Sequence, residues 1–344
     1  MGDFAHAIVG WQKTHGRHNL PWQTKPNQAT DPYAIWVSEI MLQQTQVTAV
    51  IGYYAKFMAR FPTIAALANA SQDNVLQSWS GLGYYSRARN LHASAQQIVD
   101  NFAGEFPQDF DAILSLSGIG QSTAAAISTF AFDKPMPILD GNVKRVFARH
   151  FLVEGWPSSP KVTAQLWQIA TRENPQNEAQ AYTQGLMDLG ATLCTRTKPK
   201  CDLCPVLSSC QAHALGKTKS LPTPKPRKTL PEKNTVMQVF VCGDEVLLEK
   251  RPNSGIWGGL WSLPEAETYP DNVELLPKLS HSFTHFKLHI QPVKIGLDIG
   301  KAKPLSIAAD FAIPPNHVWL PLNDAIGAAI PTPVRKILLG LLPK

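Results

Sequence analysis

Four cysteines in the second half of the chain have the spacing that most directly suggests chemistry. Cys194, Cys201, Cys204 and Cys210 follow the pattern C-x6-C-x2-C-x5-C. Four soft thiolates in one compact loop suit zinc or an iron–sulfur cluster. A structural zinc site usually shows two C-x-x-C pairs and this run shows one, but both metals stay open. Cys242 stands alone, and an odd, clustered set of cysteines is unlike a secreted disulfide framework.

The loop between the first two cysteines carries three cations in six residues: Arg196, Lys198 and Lys200. A metal centre on both sides would hold this loop rigidly, so it is a candidate finger for binding phosphates. The alternative is an ordinary exposed, charged loop.

Two carboxylates stand in sequence surroundings that could adapt them to acid–base chemistry. Glu39 is the only charge in the apolar stretch 34–42, and burial there would raise its pKa and keep it protonated near neutrality. A general acid needs that state. Asp140 precedes a helix start, where a carboxylate can face a developing cation. The alternatives are an exposed Glu on an amphipathic helix and an Asp that only caps a helix, although capping does not exclude catalysis.

A pair of glycines, Gly118 and Gly120, precedes a good helix start at 123–127. Glycine allows the backbone to turn tightly and approach a ligand, and the amides of the following helix N-terminus point at an anion. A DNA phosphate would fit this helix-hairpin-helix arrangement. A plain turn between helices has the same sequence signature.

The elements that must position these residues change type along the chain. Up to about residue 217 the pattern is helical, with Asp31-Pro32 as a helix start and further helices predicted at 53–61, 64–67, 75–79, 90–99, 110–116, 123–130, 143–151 and 162–171. From about residue 235 short strands follow, with a hairpin of 236–242 and 246–250, a strand through 288–290 and a last helix at 333–342. The sequence predicts a mainly α region followed by a smaller α+β domain.

The two parts are joined by a basic, proline-rich connector, which we place at 218–234. Residues 217–233 contain four prolines, six basic residues and one acidic residue, and so carry +5 of the formal net charge of +6. This composition predicts an extended, semi-rigid segment that is either simply solvated or lies along a DNA backbone. The N-terminus has no signal-peptide or myristoylation pattern, and no apolar run reaches membrane-spanning length. We therefore expect no membrane association and a reducing compartment.

Longer strings resemble those of the adenine DNA glycosylases of the MutY type, which belong to the helix-hairpin-helix superfamily. The strings are WVSEIMLQQTQV (36–47), GLGYYSRARNLH (81–92), LSGIGQSTAA (116–125), ILDGNVKRV (138–146) and MDLGATLC (187–194), together with the cysteine spacing. The resemblance runs through nearly all of residues 1–215. It implies a six-helix barrel at about 22–132, a cluster lobe made of 1–21 and 133–217, and one 4Fe-4S cluster on the four cysteines.

The resemblance also implies roles for single residues. Glu39 matches the general acid that protonates a flipped adenine at N7. Asp140 matches the carboxylate that stabilises or attacks the oxocarbenium-like sugar, and Asn142 matches a residue that orients the sugar and Asp140. Such a pair is chemically reasonable because positive charge grows on C1′ as the base leaves, and the base must first be flipped from the stack. Gln44 and Tyr84 match residues that probe the duplex around the oxidised guanine. The other expected DNA contacts are Gly118, Gly120, Ser122, Arg196, Lys198 and Lys200.

Ser122 separates two reactions within the superfamily. In the related thymine-glycol glycosylase/lyase, endonuclease III, a Lys at this position forms a Schiff base with the sugar, which Ser122 cannot do. We expect a monofunctional glycosylase in which the Ser122 hydroxyl hydrogen-bonds near the nucleophilic water. The rival hypotheses are a bifunctional lyase for oxidised pyrimidines and a non-catalytic DNA-binding protein.

Residues 235–344 resemble the Nudix-like domain that is appended to this family, most clearly in GIWGGLWSLP at 255–264. The metal-binding R-E-x-x-E-E string of a Nudix hydrolase does not follow, so we expect recognition and not nucleotide hydrolysis. Phe283, Thr284 and His285 match the loop that reads 8-oxoguanine on the opposite strand, with Thr in place of the usual Ser. The alternative for Phe283 and His285 is packing at a strand start.

The prediction is a base-excision-repair enzyme that hydrolyses adenine from double-stranded DNA where it is mispaired with 8-oxoguanine or guanine. We expect a monomeric, cytoplasmic, bacterial-like protein associated with the nucleoid. Partner repair or replication proteins are unidentified.

Overall fold

The computed structural model describes residues 2–24, 28–226, 229–297 and 315–342. Contacts within the chain divide it into two compact units. The first consists of Met1–Asn69 and Asn90–Arg227, and the second of Ala70–Arg89 and Lys228–Lys344. No helix in the described ranges is both long and apolar enough to pass through a bilayer.

Helices build the first unit, as the sequence predicts. They are α1 (Asp3–His15), α2 (Pro32–Leu42), α3 (Val47–Arg60), α4 (Ile64–Ala68), α6 (Ser86–Phe102, which begins in the second unit), α7 (Phe110–Ser115), α8 (Gln121–Phe132), α9 (Gly141–His150), α10 (Pro160–Glu173), α11 (Ala179–Asp188) and α12 (Gln211–Ala214). A π-helical turn at Leu189–Leu193 continues α11, and a 3-10 turn occupies Cys201–Leu203.

Local sequence signals begin the helices that carry the candidate residues. Asp31 caps α2 by accepting a hydrogen bond from the Tyr33 backbone N–H at 2.9 Å, and Pro32 takes the first helical position. Asp140 caps α9 in the same manner. The starts of α2 and α9 are therefore each fixed by the side chain of the residue that directly precedes the helix.

The core of the first unit joins segments that are far apart in the chain. Phe4 and Ile8 of α1 belong to one buried cluster with Phe147 of α9 and Tyr182 of α11. Elsewhere α2 packs against α8 and α3. This packing brings the end of α2, which carries Glu39, next to α8.

A mixed sheet builds most of the second unit. The strands are β1 (Glu232–Cys242), β2 (Glu245–Lys250), β3 (Trp261–Ser262), β4 (Glu265–Ala266), β5 (Glu274–Leu275), β6 (Leu279–Ser282), β7 (Lys287–Gly296) and β8 (His317–Pro321). Their order in the sheet is β3-β2-β1-β7-β5, while β4 pairs with β1, β6 with β7 and β8 with β2. The helices α13 (Leu322–Gly327) and α14 (Thr332–Leu339) follow. A helical N-terminal region with a smaller sheet-containing domain is thus confirmed.

Strand β1 is longer than the sequence predicts. The hairpin across Gly243-Asp244 is present, with Cys242 opposite Glu245. However, β1 begins at Glu232, before the expected domain start at 235, because its first residues pair in parallel with the start of β7. The last residues of the expected connector are therefore part of the sheet.

Residues 70–89, which contain α5 (Gln72–Ser78), are grouped with the sheet, although the sequence placed them within a barrel at 22–132. Side chains explain this grouping. The Asp73 carboxylate accepts hydrogen bonds from Lys250 and, at 3.2 Å, from the Trp261 indole, and Arg89 donates to the Gly258 carbonyl at 2.6 Å. The boundaries of the barrel and of the cluster lobe stay predictions.

Candidate functional site

Glu39 lies near the C-terminal end of α2 and lines two neighbouring cavities. Ser38 and Ile40 on either side of it are buried. Burial, and secondarily the negative charge of Asp140, raises the pKa of the Glu39 carboxyl to about 8. Glu39 is therefore protonated at neutral pH, which is the state that its apolar sequence surroundings predict and that a general acid needs.

Asp140 is held by its role as the cap of α9. Its Oδ1 accepts a hydrogen bond from the Val143 backbone N–H at 2.7 Å. Burial raises the pKa of the Asp140 carboxyl, while backbone hydrogen bonds from Val143 and Asn142 and the charge of Arg145 oppose the shift. Capping thus fixes where the carboxyl lies, and these opposing groups favour its ionised form.

Ser122 supports the backbone next to Asp140. Its hydroxyl oxygen accepts a hydrogen bond from the Leu139 N–H at 3.0 Å. This bond uses the hydroxyl oxygen as an acceptor, and the expected contact of the hydroxyl near the nucleophilic water stays a prediction. Ser122 also lines the cavity described next.

A cavity of about 810 Å3, which we call the carboxylate cavity, lies between α2, α8, α9 and the π-helical turn. It contains both carboxylates. Its lining brings together six residues that the sequence singles out, namely Glu39, Gln44, Ser122, Asp140, Asn142 and Arg196. Residues more than 150 positions apart in the chain therefore meet around one space.

Glu39 also lines a second cavity of about 480 Å3, which we call the side cavity. Its walls include the Trp22 indole and the amides of Gln12, Gln23 and Gln184. Our sequence reasoning did not identify these residues. Trp22 and Gln23 are adjacent in the non-helical stretch before α2, but such a pair has no spacing that would indicate a binding site.

Arg145 connects the carboxylate cavity to the first cysteine. Its guanidinium donates to Asn142 Oδ1 at 2.9 Å, to the Gly190 carbonyl at 2.6 Å and to the Cys194 carbonyl at 2.7 Å. Arg145 and Asn142 are three residues apart on α9, so their side chains lie on one helix face. Sequence reasoning missed Arg145, because spacing does not show that Cys194 would lie beside it.

The π-helical turn approaches Asn142 very closely. A Cβ atom added to Gly190 would lie 2.6 Å from the Cβ of Asn142. Only glycine fits there without a shift of α9, so Gly190 sets the distance between the turn and the start of that helix.

The four predicted cysteines line one small cavity and all are free thiols. Their chemistry and number fit an iron–sulfur cluster. In the part of the chain that the structure describes, no group of three or more Cys, His, Asp or Glu residues is arranged to hold a single metal ion.

Buried Arg149 organises the loop that follows Cys194. Its side chain is 2% exposed and donates to the carbonyls of Thr195 at 2.7 Å, Arg196 at 3.0 Å and Leu221 at 2.8 Å. One guanidinium thus ties the basic loop to the start of the connector. The cations of that loop, Arg196, Lys198 and Lys200, are exposed, as binding to DNA would require.

The predicted glycine hairpin is held by α6. Gly118 has a φ of +76°, and a Cβ there would lie 2.6 Å from the Asn90 side chain. Between the glycines and α7, Ser117 donates from its N–H to Gln97 at 3.1 Å, and its carbonyl accepts from Ser94 at 3.0 Å. Gly120 caps α8 with open space around it, which leaves room for an anion at the helix start.

Tyr84 belongs to the second unit, at a turn with positive φ, and is 48% exposed. The Arg87 guanidinium lies 5.6 Å from its ring centroid and also donates to the Gly83 carbonyl at 3.1 Å. These contacts hold an aromatic ring at the surface of its unit.

The C-terminal loop divides its roles. Phe283 packs against Trp257, with ring centroids 5.4 Å apart, and stacks on Phe286 at 4.6 Å. Thr284 and His285 are exposed at the tip of the turn between β6 and β7. Phe283 therefore packs against neighbouring rings, and the two residues after it are exposed; the recognition role of all three stays a prediction.

Comparisons with known proteins identify the kinds of domain that the chain contains. Residues 37–172 match the family model of the HhH-GPD superfamily base excision DNA repair proteins, and residues 235–340 match a NUDIX domain. The adenine DNA glycosylase of Buchnera aphidicola subsp. Acyrthosiphon pisum is 36% identical, over 97% of this chain and 96% of that protein. The adenine DNA glycosylase of Homo sapiens is 31% identical, over 97% of this chain and 73% of that protein. The structure of a thermostable thymine-DNA glycosylase superposes with a TM-score of 0.55 at 28% identity, covering 62% of this chain and 95% of that one.

Proposed function

The chain belongs to the adenine DNA glycosylase family, and we propose that it removes adenine that is mispaired with 8-oxoguanine or guanine. Membership establishes the class of enzyme, a hydrolase of N-glycosyl bonds that acts on DNA in base excision repair. The mispair, the residue roles and the cofactor that follow are our proposal.

One observation carries the proposed chemistry: Glu39, whose pKa is raised to about 8, lines the same cavity as Asp140, whose carboxyl accepts backbone hydrogen bonds and lies near the positive charge of Arg145. Glu39 donates its proton to N7 of adenine as the bond between C1′ and N9 breaks, so the base leaves neutral. The Asp140 carboxylate faces the positive charge that grows on the sugar, and water then adds to C1′ and releases a proton. Asn142 orients the sugar and Asp140.

The side cavity provides a place for the flipped base. Chemistry at C1′ requires the nucleotide to leave the stack. Because Glu39 lines both cavities, the adenine enters the side cavity while its sugar stays in the carboxylate cavity. There the Trp22 indole offers an apolar face, and the amide oxygen of Gln184, whose nitrogen donates to Asp188, offers an acceptor to the edge of the base.

Hydrolysis without strand cleavage is supported by the cavity lining. No lysine is present among the described residues that line either cavity. A Schiff base with the sugar needs such an amine. This favours a monofunctional glycosylase over a lyase for oxidised pyrimidines.

We further propose that Cys194, Cys201, Cys204 and Cys210 hold one 4Fe-4S cluster. When bound, the cluster supplies a rigid cross-link and no bond-breaking step. Arg149 and the cysteines fix the basic loop 195–200 so that its cations meet DNA phosphates, and Gly118 and Gly120 open a second phosphate site at the start of α8.

Recognition of the opposite base is assigned to Gln44, Tyr84 and the loop of Thr284 and His285. Gln44 lines the carboxylate cavity with a φ of +58°, and the other three residues are exposed. The enzyme acts as a monomer. It acts on chromosomal DNA, which in bacteria lies in the nucleoid.

Base release from four duplexes tests the proposal. Adenine opposite 8-oxoguanine should be released fastest and opposite guanine more slowly. Adenine opposite thymine and thymine glycol opposite adenine should stay intact. Equal release of adenine opposite thymine would overturn the mispair specificity, and release of thymine glycol with borohydride-trapped protein would favour the lyase.

A further inference from the structure

Arg17, two residues after the end of α1, is held by a buried carboxylate. The Asp188 side chain is 1% exposed and accepts hydrogen bonds from the Arg17 backbone N–H at 2.7 Å and from Arg17 Nε at 2.7 Å. Arg17 Nη2 lies 2.6 Å from the same carboxylate. Backbone and side chain of Arg17 are therefore both fixed by one residue that is 171 positions away in sequence.

The same carboxylate orders a wall of the side cavity. Asp188 Oδ1 accepts from Gln184 Nε2 at 2.8 Å, and the Arg17 carbonyl accepts from Gln23 Nε2 at 2.7 Å. Gln184 and Gln23 both line the side cavity, whereas Arg17 lines the carboxylate cavity. Asp188 thus organises groups on both sides of Glu39.

One edge of the Arg17 guanidinium is left for a ligand. The side chain is 29% exposed, and within the described ranges Nη1 has no hydrogen-bond partner. Arg145, in the same lining, directs its bonding nitrogens to protein oxygens instead. A planar guanidinium that is already immobilised loses little entropy when it binds and matches the oxygens of a phosphate.

We propose that Arg17 binds a phosphate next to the flipped adenosine and that Asp188 is the positioning residue that holds Arg17 for this contact. The inference rests on the proposed function, because the sugar must lie at Asp140 for a flanking phosphate to reach this wall. Phosphate is the anion that DNA would bring into the cavity. Because the contact is made to the strand that carries adenine, it serves base flipping and not the reading of the opposite base.

The test measures binding of the full-length, iron-containing protein to a duplex with adenine opposite 8-oxoguanine. Glu39→Gln is present in every variant so that the base stays in place. Each phosphate that flanks the adenosine is replaced in turn by an uncharged methylphosphonate. At one of these positions, the methylphosphonate should lower affinity on the order of tenfold or more in the protein that keeps Arg17. The same methylphosphonate should hardly change the affinity of Arg17→Gln.

Two further measurements separate this role from a structural one. Arg17→Gln should reduce the slope of log affinity against log salt by about one, the signature of one lost phosphate contact. Arg172→Gln removes the same charge from an exposed ion pair with Glu173, outside both cavity linings. It should keep the full methylphosphonate response.

Asp188→Asn tests the positioning role. Arg17 stays in this variant but loses its ion pair, so the methylphosphonate effect should shrink towards that of Arg17→Gln. A lower melting temperature with an unchanged methylphosphonate effect would overturn the role of Asp188.

The contact between Arg17 and a phosphate has its own test. If each methylphosphonate lowers affinity equally in the proteins with Arg17 and with Arg17→Gln, the proposed phosphate contact is wrong. If the wild-type protein releases correctly paired and mispaired adenine equally well, the proposed mispair specificity is wrong. The methylphosphonate measurements would still decide whether Arg17 binds a phosphate.

Discussion

Glu39 and Asp140 face one cavity, and the negative charge of Asp140 adds to burial in raising the pKa of the Glu39 carboxyl to about 8. Two neighbouring carboxyls in one cavity disfavour double ionisation, and the mechanism proposed above uses the state with the proton on Glu39 and the charge on Asp140. Departure of a base needs this combination, since a proton must reach the base while a negative charge faces the sugar.

The first prediction concerns the pH dependence of base release. Single-turnover release should be nearly constant around neutrality and should fall as pH rises through about 8, because Glu39 then loses its proton. At low pH it should fall again, and since burial raises the pKa of Asp140, this loss should begin above the usual range of an Asp. Rates that keep rising to pH 9.5 would contradict the assignment of Glu39 as the acid.

The second prediction concerns Glu39→Gln. The variant should bind the mispaired duplex with near wild-type affinity and lose base release by roughly 10²-fold to 10⁴-fold, the usual contribution of a general acid. Glu173→Gln, a change of the same type outside both cavity linings, serves as the control and should keep wild-type rates. Appreciable turnover by Glu39→Gln would remove Glu39 from the mechanism.

The same variant should change how stability depends on pH. Folding raises the pKa of Glu39 from 4.5 to about 8, so between these values the folded state binds a proton that the unfolded chain has released. This contribution to stability is fully present below pH 4.5 and is lost as pH rises through about 8. Melting temperatures measured across this window should therefore fall less steeply with pH in Glu39→Gln than in the wild type.

The third prediction concerns the close contact between Gly190 and Asn142. Gly190→Ala should displace Asn142 and Arg145, lower the free energy of unfolding by roughly 1 to 3 kcal/mol, as overpacking does, and slow base release more than it weakens binding. Gly52→Ala is the matched control, because a Cβ at that position in α3 meets nothing within 4 Å. It should stabilise the protein by about 0.5 to 1 kcal/mol. Wild-type catalysis by Gly190→Ala would show that Asn142 does not need its present position.

The fourth prediction concerns Arg149 and the cysteine cluster. The purified protein should contain about four irons and four sulfides per chain and no stoichiometric zinc. Arg149→Lys keeps the charge but cannot bridge several carbonyls at once. It should lose iron faster to a chelator and bind DNA more weakly, with a smaller salt dependence. Arg172→Lys, on the exposed end of α10, should behave like the wild type. Stoichiometric zinc in place of iron would refute the cluster.

The fifth prediction concerns the exposed hydroxyl of Thr284. Thr284→Ala should reduce the preference for 8-oxoguanine over guanine opposite adenine, because a hydrogen-bonding group at the tip of the loop is lost. Thr284→Ser keeps the hydroxyl and should keep the preference. The measurement is the ratio of single-turnover rates on the two duplexes, and an unchanged ratio in both variants would exclude the loop from recognition.

Local patterns in the sequence determined much of this protein. The cysteine spacing, the caps at Asp31 and Asp140, the isolated charge of Glu39 and the hairpin across Gly243-Asp244 each depend on residues that are close together in the chain. Such short-range patterns follow from backbone geometry, helix capping and the periodicity of burial, so they predict the same local structure in any fold. Longer strings were enough to indicate the family.

Contacts between distant segments were decided only by the tertiary structure. The ion pair of Arg17 with Asp188, the bridge from Arg145 to Cys194 and the side cavity beside Trp22 depend on how α1, α2, α9 and α11 pack. No local spacing encodes them, since each partner satisfies its own helix or loop equally well without the other. The physical reason is that packing of apolar helix faces sets these distances, and the polar side chains then pair with whatever the packing brings within reach.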